Sequence, residues 1–339
     1  MQKLFAQLEQ TIQSGRPAVL VTVVASSGST PRGAGARMLV TKAGRVCGTI
    51  GGGAVEHAAE QEAQKVLQTG QSRLGYYQLR QNQVQDLGMI CGGDVHVFFR
   101  YVPGGDAATL ALASAVAEAF QKGETAWLIT DITPEGQGGM ALYAGGTLTG
   151  TPVPPAVLHA LGPGAAQAEA GGGRYYCEVL VQAGQVYIFG GGHVSQALVP
   201  ALSAVGFRCI VLEDRPEFCR AELFPGVIAT HLIDNARIAD FVHIAESDYV
   251  VIMTRGHKDD EAVQAQVLRT PARYIGVIGS RRKTAGVFAN LRAQGFCDAD
   301  LARITTPIGL DIGAETPEEI AVSITAQLIQ HRAQHRASG

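Results

Sequence analysis

Gln185-Val186-Tyr187-Ile188-Phe189-Gly190-Gly191-Gly192-His193-Val194-Ser195-Gln196-Ala197-Leu198 carries a short apolar run into a triple glycine and an apolar-periodic helix out of it. A strand, a glycine turn and a helix in that order form the phosphate-gripping unit of a Rossmann-like sheet. Glycines let the backbone turn sharply and approach a ligand closely, and the N–H groups and positive dipole end of the next helix attract phosphate. Ser195 stands where a third glycine or alanine is usual, a mild departure because serine is still small. About twenty residues further on, Val211-Leu212-Glu213-Asp214 ends the next apolar run in carboxylates, where a ribose-binding acid is expected. The stretch lies at mid-chain, so about half of the protein must be something else.

Composition bounds that remainder. A chain of 339 residues predicts two domains, each able to bury its own core. Hydrophobic residues make up 46% and charged residues 17%, which excludes a disordered chain. A net charge of −3 argues against a general nucleic-acid binder. No segment approaches the ~18 uninterrupted apolar residues of a membrane span. Met1-Gln2-Lys3-Leu4-Phe5-Ala6-Gln7-Leu8 lacks a signal-peptide core, so a cytoplasmic location is expected. Cys47, Cys91, Cys177, Cys209, Cys219 and Cys297 are scattered without a Cys-x-x-Cys pair, which supports neither a zinc site nor a disulfide framework.

The first half opens with a helix whose Leu4, Phe5, Leu8 and Ile12 share one face, stopped by Gly15 and Pro17. Residues 18–25 read as a buried strand. Ser26 to Ala36 is a loop rich in hydroxyls and glycines that includes Ser29, Thr30 and Arg32; it reads either as an anion-wrapping loop or as an ordinary turn. Residues 37–41 and 45–50 predict a hairpin, and Gly51-Gly52-Gly53 opens a helix to about Gln68, a second candidate anion cradle. His57, in the first turn, reads as a capping or surface histidine before a catalyst. Cys91 alone among the cysteines sits between glycine turns, which suits a reactive or ligating sulfur, or simply a small residue in a tight turn. Strands are expected at 76–79, 95–101, 126–132, 140–148 and 174–182, and helices at 107–121 and 153–161. Residues 162–173 read as a small-residue loop, and Cys177 as core. The boundary is placed near Gly184, dividing the chain into 1–183 and 184–339.

The second half alternates strand and helix, as a doubly wound parallel sheet does. Strands are expected at 208–212, 249–253 and 274–278. Thr254 to Asp260 reads as a loop on the ligand-bearing edge. Gly279-Ser280-Arg281-Arg282-Lys283 brings three cations to a helix start, either a polyanion site or a solvated basic turn. Thr316, Pro317 and Glu319 form a capping box for a closing helix.

Taken together these segments resemble the XdhC/CoxI family, accessory proteins of xanthine dehydrogenase and related molybdenum hydroxylases. The resemblance rests on Ser26-Ser27-Gly28-Ser29-Thr30-Pro31-Arg32-Gly33-Ala34-Gly35, Gly48-Thr49-Ile50-Gly51-Gly52-Gly53 and Gly88-Met89-Ile90-Cys91-Gly92-Gly93 in the first half. In the second half it rests on Phe189 to Val194, Thr254-Arg255-Gly256-His257, Tyr274 to Lys283 and Pro307-Ile308-Gly309-Leu310-Asp311-Ile312-Gly313. Each is weak alone; their order is specific. The resemblance implies an α/β protein with an N-terminal mixed α+β XdhC/CoxI-type domain and a C-terminal Rossmann-like doubly wound parallel sheet domain. It implies a cytosolic, dimerising chaperone that carries molybdenum cofactor rather than catalysing a reaction. Such a carrier presents the cofactor to a cysteine desulfurase, which exchanges a Mo-oxo for a Mo-sulfido ligand, and hands it to the apo-hydroxylase.

A molybdopterin, or its dinucleotide form, bears phosphate and needs glycine-rich turns and cations at that end and a soft donor near the metal. Cys91 is therefore expected near molybdenum or the transferred sulfur, and Ser29, Thr30, Arg32 and Gly51 to Gly53 around the ligand. Gly190, Gly192, Arg281 and Lys283 are expected at phosphate, Gly191, His193, Gly279 and Ser280 in the same cofactor site, and Glu213 or Asp214 at a ribose when a dinucleotide is bound. No catalytic residue is assigned. Two other readings stand beside this one. An NAD(P)-dependent oxidoreductase of a small carbonyl or alcohol fits the glycine fingerprint and the acid after the second strand, with His193 and His257 as its available proton donors. A nucleotide-binding regulatory subunit would use the Rossmann-like half alone.

Overall fold

The structure is a computed structural model and describes residues 1–28, 33–79, 93–133, 138–182, 184–255 and 257–337. The chain divides into two compact units, Met1–Gln182 and Ala183–Ser338.

The first unit runs α1 (Gln2–Gln13), β1 (Ala18–Gly28), β2 (Arg37–Thr41), β3 (Gly44–Thr49), α2 (Gly53–Thr69), β4 (Arg73–Leu79), β5 (Gly93–Val102) and α3 (Ala107–Lys122). It continues through β6 (Ala126–Asp131), β7 (Met140–Ala144), β8 (Thr147–Gly150), α4 (Pro155–Leu158), β9 (Ala166–Ala170) and β10 (Gly173–Val181). Two antiparallel sheets result, ordered β3-β2-β1-β5-β4 and β8-β7-β6-β10-β9. The period of two along β1 explains its uninterrupted apolar character. Val19, Val21 and Val23 pack with Val55, Ala59, Ala63 and Val66 of α2. Ala18 and Leu20 point the other way, into a core shared by α1, α3, β6 and β7. Leu4, Phe5, Leu8 and Ile12 of α1 enter that core, each burial favourable by about 1.5–3 kcal/mol. Arg37 of β2 is buried and pairs through one terminal nitrogen with Glu178 of β10, tying the two sheets.

Two expectations for this unit are corrected. The loop expected at 162–173 contains β9, whose alternate residues are exposed and which pairs with β10 across Gly171-Gly172, both at positive φ (59° and 79°). Its alanines have little strand preference, so only the Gly-Gly hairpin turn marked it. The segment 140–148 is two strands, β7 and β8, folded at Gly145-Gly146.

The second unit runs β11 (Val186–Phe189), α5 (His193–Ala204), β12 (Cys209–Glu213), β13 (Ala229–Leu232), β14 (Tyr249–Ile252), α6 (His257–Val267) and β15 (Tyr274–Val277). It ends with α7 (Arg281–Ala293), α8 (Asp298–Leu301), β16 (Ile304–Thr305) and α9 (Pro317–Ala337). The sheet is parallel throughout, in the order β13-β12-β11-β14-β15-β16. Its two faces bury separate cores. Val186, Ile188 and Val251 meet α5 and α9, while Tyr187, Phe189 and Ile252 meet residues of α6 and α7. This is the doubly wound, Rossmann-like architecture, with strand order reversing between β11 and β14. The capping box of α9 is formed as expected: Glu319 N–H donates to Thr316 Oγ1 at 3.2 Å, and Thr316 N–H donates to Glu319 Oε2 at 3.0 Å. The connection from β12 to β13 departs from strict alternation, carrying 3₁₀ turns at Pro216–Phe218 and Ala221–Leu223 where a helix would stand. The loop expected at 254–260 is shorter than read, because α6 begins at His257.

Candidate phosphate-binding site

The glycine turn after β11 lies where the strand order reverses. The chain leaves β11, β14 and β15 on the same edge: Gly190 N–H donates to Leu212 O at 2.8 Å, Met253 N–H to Phe189 O at 2.8 Å and Ile278 N–H to Ile252 O at 3.0 Å. Ile308 N–H continues the row onto Val277 O at 3.0 Å, so Pro307 to Gly313 also starts from this edge. The Gly190, Glu213, Thr254 and Gly279 segments, far apart in sequence, are thus brought to one crevice edge of one sheet.

The three glycines of the turn do different things. Gly190 has φ 105°, and a Cβ there would stand 2.3 Å from Met253 O. A Cβ on Gly191 would stand 2.5 Å from Phe218 O. At Gly192, the N-cap of α5, an added Cβ would meet nothing within 4 Å. The first two glycines let the backbone pass between neighbours; the third faces open space at a helix N-terminus. The turn is braced from α5. Buried Ser195 donates its hydroxyl to Gly190 O at 2.5 Å, and Gln196 Nε2 donates to Gly191 O at 3.1 Å. Serine is therefore a working substitute at this position: its oxygen fixes the turn that its small volume permits.

Glu213, expected at a ribose, is turned inward. It is 1% exposed and accepts from Gly191 N–H at 2.5 Å, from the N–H groups of Asp214 and Arg215, each at 3.1 Å, and from Arg215 Nε at 2.8 Å. Burial opposes ionisation, but hydrogen bonds led by that of Arg215 outweigh it and hold the carboxyl at about 2. Arg215 also lies over the Phe218 ring, 4.1 Å from its centroid. With its oxygens engaged, Glu213 is a brace of the glycine turn rather than a free ribose acceptor. Asp214 is the exposed acid of the pair, and its hydrogen bond with Glu213, together with burial and the charges of Glu213 and Asp259, raises its pKa.

The remaining donors are the first N–H groups of α5 at Gly192, His193 and Val194, which an α-helix leaves without intrahelical acceptors. His193 itself is exposed and lines a groove between α5 and α9 with Pro200, Glu318 and Val322. Ser280 stands immediately before α7, and its carbonyl accepts from Thr284 N–H at 3.1 Å. The backbones of Arg281 and Lys283 form the first turn of α7.

The second glycine triplet is corrected more sharply. Gly51, Gly52 and Gly53 all have positive φ (134°, 75° and 62°), and the turn they make folds around a carboxylate from the same helix. Buried Glu56 accepts from Ile50 N–H at 3.0 Å and Gly52 N–H at 3.1 Å, from the Thr49 hydroxyl, and pairs with Arg45 at 2.5 Å. Burial raises the pKa of Glu56, and these partners, Thr49 first, bring it below the usual carboxylate range. The anion this cradle binds is its own. The signal was available: an acid in the first turn of a glycine-started helix is a capping residue before it is a site. Ser29, Thr30, Arg32 and Cys91 lie outside the described residues. No group of three or more His, Cys, Asp or Glu able to hold a metal occurs among the described residues, and no described helix is long and apolar enough to cross a membrane.

Comparison with known proteins adds three kinds of likeness. Residues 186–328 match a family profile described as the XdhC Rossmann domain, and residues 11–78 one described as the XdhC and CoxI family. Over 96% of its length the chain is 25% identical to an uncharacterized Escherichia coli protein, YqeB, spanning 46% of that protein. It is 26% identical to a protein of Bacillus subtilis described as a probable subunit of xanthine dehydrogenase, covering 98% of both chains. A shorter stretch of 89 residues is 37% identical to the Escherichia coli molybdenum cofactor insertion chaperone PaoD, covering 25% of this chain and 27% of that one. In fold it is similar to a crystal structure described as a xanthine dehydrogenase from Bacillus halodurans, with a TM-score of 0.79, 26% identity and coverage of 97% and 96% of the two chains.

Proposed function

The chain belongs to the XdhC and CoxI family, and from that premise we propose that it is an accessory chaperone that binds molybdenum cofactor, supports its sulfuration by a cysteine desulfurase and delivers it to a xanthine dehydrogenase-type hydroxylase. The observation that carries the reading is the open N-terminus of α5: Gly192 has free space beside it and helix N–H donors around it, which fits the phosphate end of the cargo. In this reading Gly192, His193 and Val194 hold that phosphate through the backbone, with Gly279, Ser280, Arg281 and Lys283 supplying the neighbouring helix start. Glu213 and Arg215 keep the turn in shape. Asp214 is the acid left to meet a ribose hydroxyl when the dinucleotide form or another nucleotide binds. Cys91 is assigned to the metal end, as the soft donor near molybdenum or the transferred sulfur, and Arg32 to the anion-wrapping N-terminal loop. The cytoplasm, where apo-hydroxylase and desulfurase meet, and a homodimeric state belong to the same proposal.

The test is co-purification. Isolated from cells that make the cofactor, the protein is expected to carry molybdenum and fluorescent oxidised pterin in equal amounts. Gly192→Asp places a carboxylate where the phosphate would sit, at a position that accepts a side chain, and is expected to cut both at least tenfold. Cys91→Ala is expected to lower metal and transfer competence while sparing pterin. Wild-type protein that holds neither after cofactor is supplied in vitro overturns the proposal. A second reading, an NAD(P)-dependent oxidoreductase, is favoured by one observation, the exposure of Asp214 beyond β12. Oxidation of NADH or NADPH against a panel of carbonyl compounds would establish it instead.

A further inference from the structure

The first unit holds a buried cation that nothing in the preceding sections uses. Arg100 lies on β5 between the buried Phe98 and Val102 of the same face, and is 6% exposed. Its Nε donates to Gly138 O at 2.5 Å, one terminal nitrogen to Thr109 Oγ1 at 3.1 Å and the other to Met140 Sδ at 3.3 Å. All three acceptors are neutral, and a thioether sulfur is a weak one. Among the described residues no carboxylate lies within ion-pairing distance of Arg100. A guanidinium has five N–H donors, so donors remain unspent. The charge of Asp106 acts on Arg100 only from beyond ion-pairing distance, and buried charges in folded proteins are in contact with a counter-charge as a rule. Burial lowers the pKa of Arg100 to about 10, with Asp106 opposing the fall, which leaves it charged at neutral pH.

Arg100 also lines a cleft of about 1410 Å³, walled by residues 69–74 and by Tyr101, Asp106, Ala108 and Thr151. A single ion would leave most of that space empty; the cleft is larger than the roughly 300–1,000 Å³ typical of pockets for small organic molecules, so it has room for one. The two acids of the wall are already engaged locally. Asp106 caps α3 by accepting from Thr109 N–H at 2.9 Å, and Asp131 accepts from Thr133 N–H at 2.9 Å. We propose that this cleft is a binding site for a small organic molecule bearing a terminal oxyanion, a phosphate or a carboxylate, which pairs with Arg100. The site lies wholly within the first unit and is independent of the crevice at Gly192.

The experiment uses the full chain carrying Gly192→Asp, so that the crevice is silent. Inorganic phosphate and acetate are titrated separately by calorimetry, and the titrations are repeated with Arg100→Met or Ala108→Glu added. Ala108 is an exposed residue in the first turn of α3, where a glutamate suits the helix dipole and brings an internal counter-charge to the cleft wall. Saturable binding of one ion or both is expected in the parent, weakened at least tenfold in each variant, and the ion that binds identifies the terminal group. Should Arg100→Met fail to fold, Ala108→Glu decides alone. No saturable binding of either ion in the parent, or a folded Ala108→Glu protein that binds as the parent does, overturns the proposal.

Discussion

At the scale of single residues, carboxylates take the place that ligands were expected to fill. Glu56 and Glu213 each enter a glycine turn of their own chain and accept its N–H groups. For Glu213 the balance of burial against five donated hydrogen bonds has a measurable sign. Its carboxyl is held at about 2, below the ordinary 4.5, so its stabilisation is complete above 4.5 and is lost as pH falls through 2. Glu213→Gln keeps the volume but sets an amide against Arg215 and the Gly191 N–H. Urea denaturation at neutral pH is expected to show a loss of about 2–4 kcal/mol. On acidification the variant should lose less further stability than wild type, because the group that titrates is gone. The inward turn of Glu213 was not legible in the sequence, whereas that of Glu56 was signalled by its place in the first turn of a glycine-started helix. Placing an acid at the end of a second strand is a matter of pattern; whether it faces a ligand or its own glycines depends on a side-chain path that spacing does not specify.

At the scale of elements, periodicity was the dependable guide. The apolar spacing of α1, the two-sided burial of β1 and the capping box of α9 all follow from residue type and interval. The elements that escaped are those with weak local preference. β9 is built of alanine, glutamine and glutamate, β13 carries two exposed residues of four, and β16 is two residues long. Each exists because a neighbouring strand offers it hydrogen bonds, which is tertiary information. The α9 cap provides a clean test of the local kind. Thr316→Ala removes one hydroxyl acceptor at an exposed helix start and is expected to cost about 1 kcal/mol. Equilibrium unfolding of the full chain checks it, and Thr316→Asp should restore the loss.

At the scale of the whole molecule, the cores respect the division of the chain. Every buried residue of the two large second-unit clusters lies at or beyond Val186, and the clusters of the first unit end at Val181. A fragment of residues 184–339 is therefore expected to fold alone, giving a cooperative thermal transition and α/β circular dichroism. A fragment without cooperative unfolding would show that the cores depend on each other. Such a fragment, if folded, also isolates the Gly192 crevice from the Arg100 cleft.

The order of the parallel sheet has a consequence in time. β11 is its centre, paired on one side with β12 and on the other with β14, whose residues come about 60 positions later. Synthesis at about 5–20 residues per second separates the two strands by roughly 3–12 s. Through that interval the fully apolar Val186-Tyr187-Ile188-Phe189 has one edge satisfied and the other open, in a nascent chain that already carries the complete glycine turn. The glycine turn proposed to grip phosphate is thus translated before the sheet edge that gives it a crevice, and the newborn chain carries a fully apolar strand whose partner β14 is not yet made.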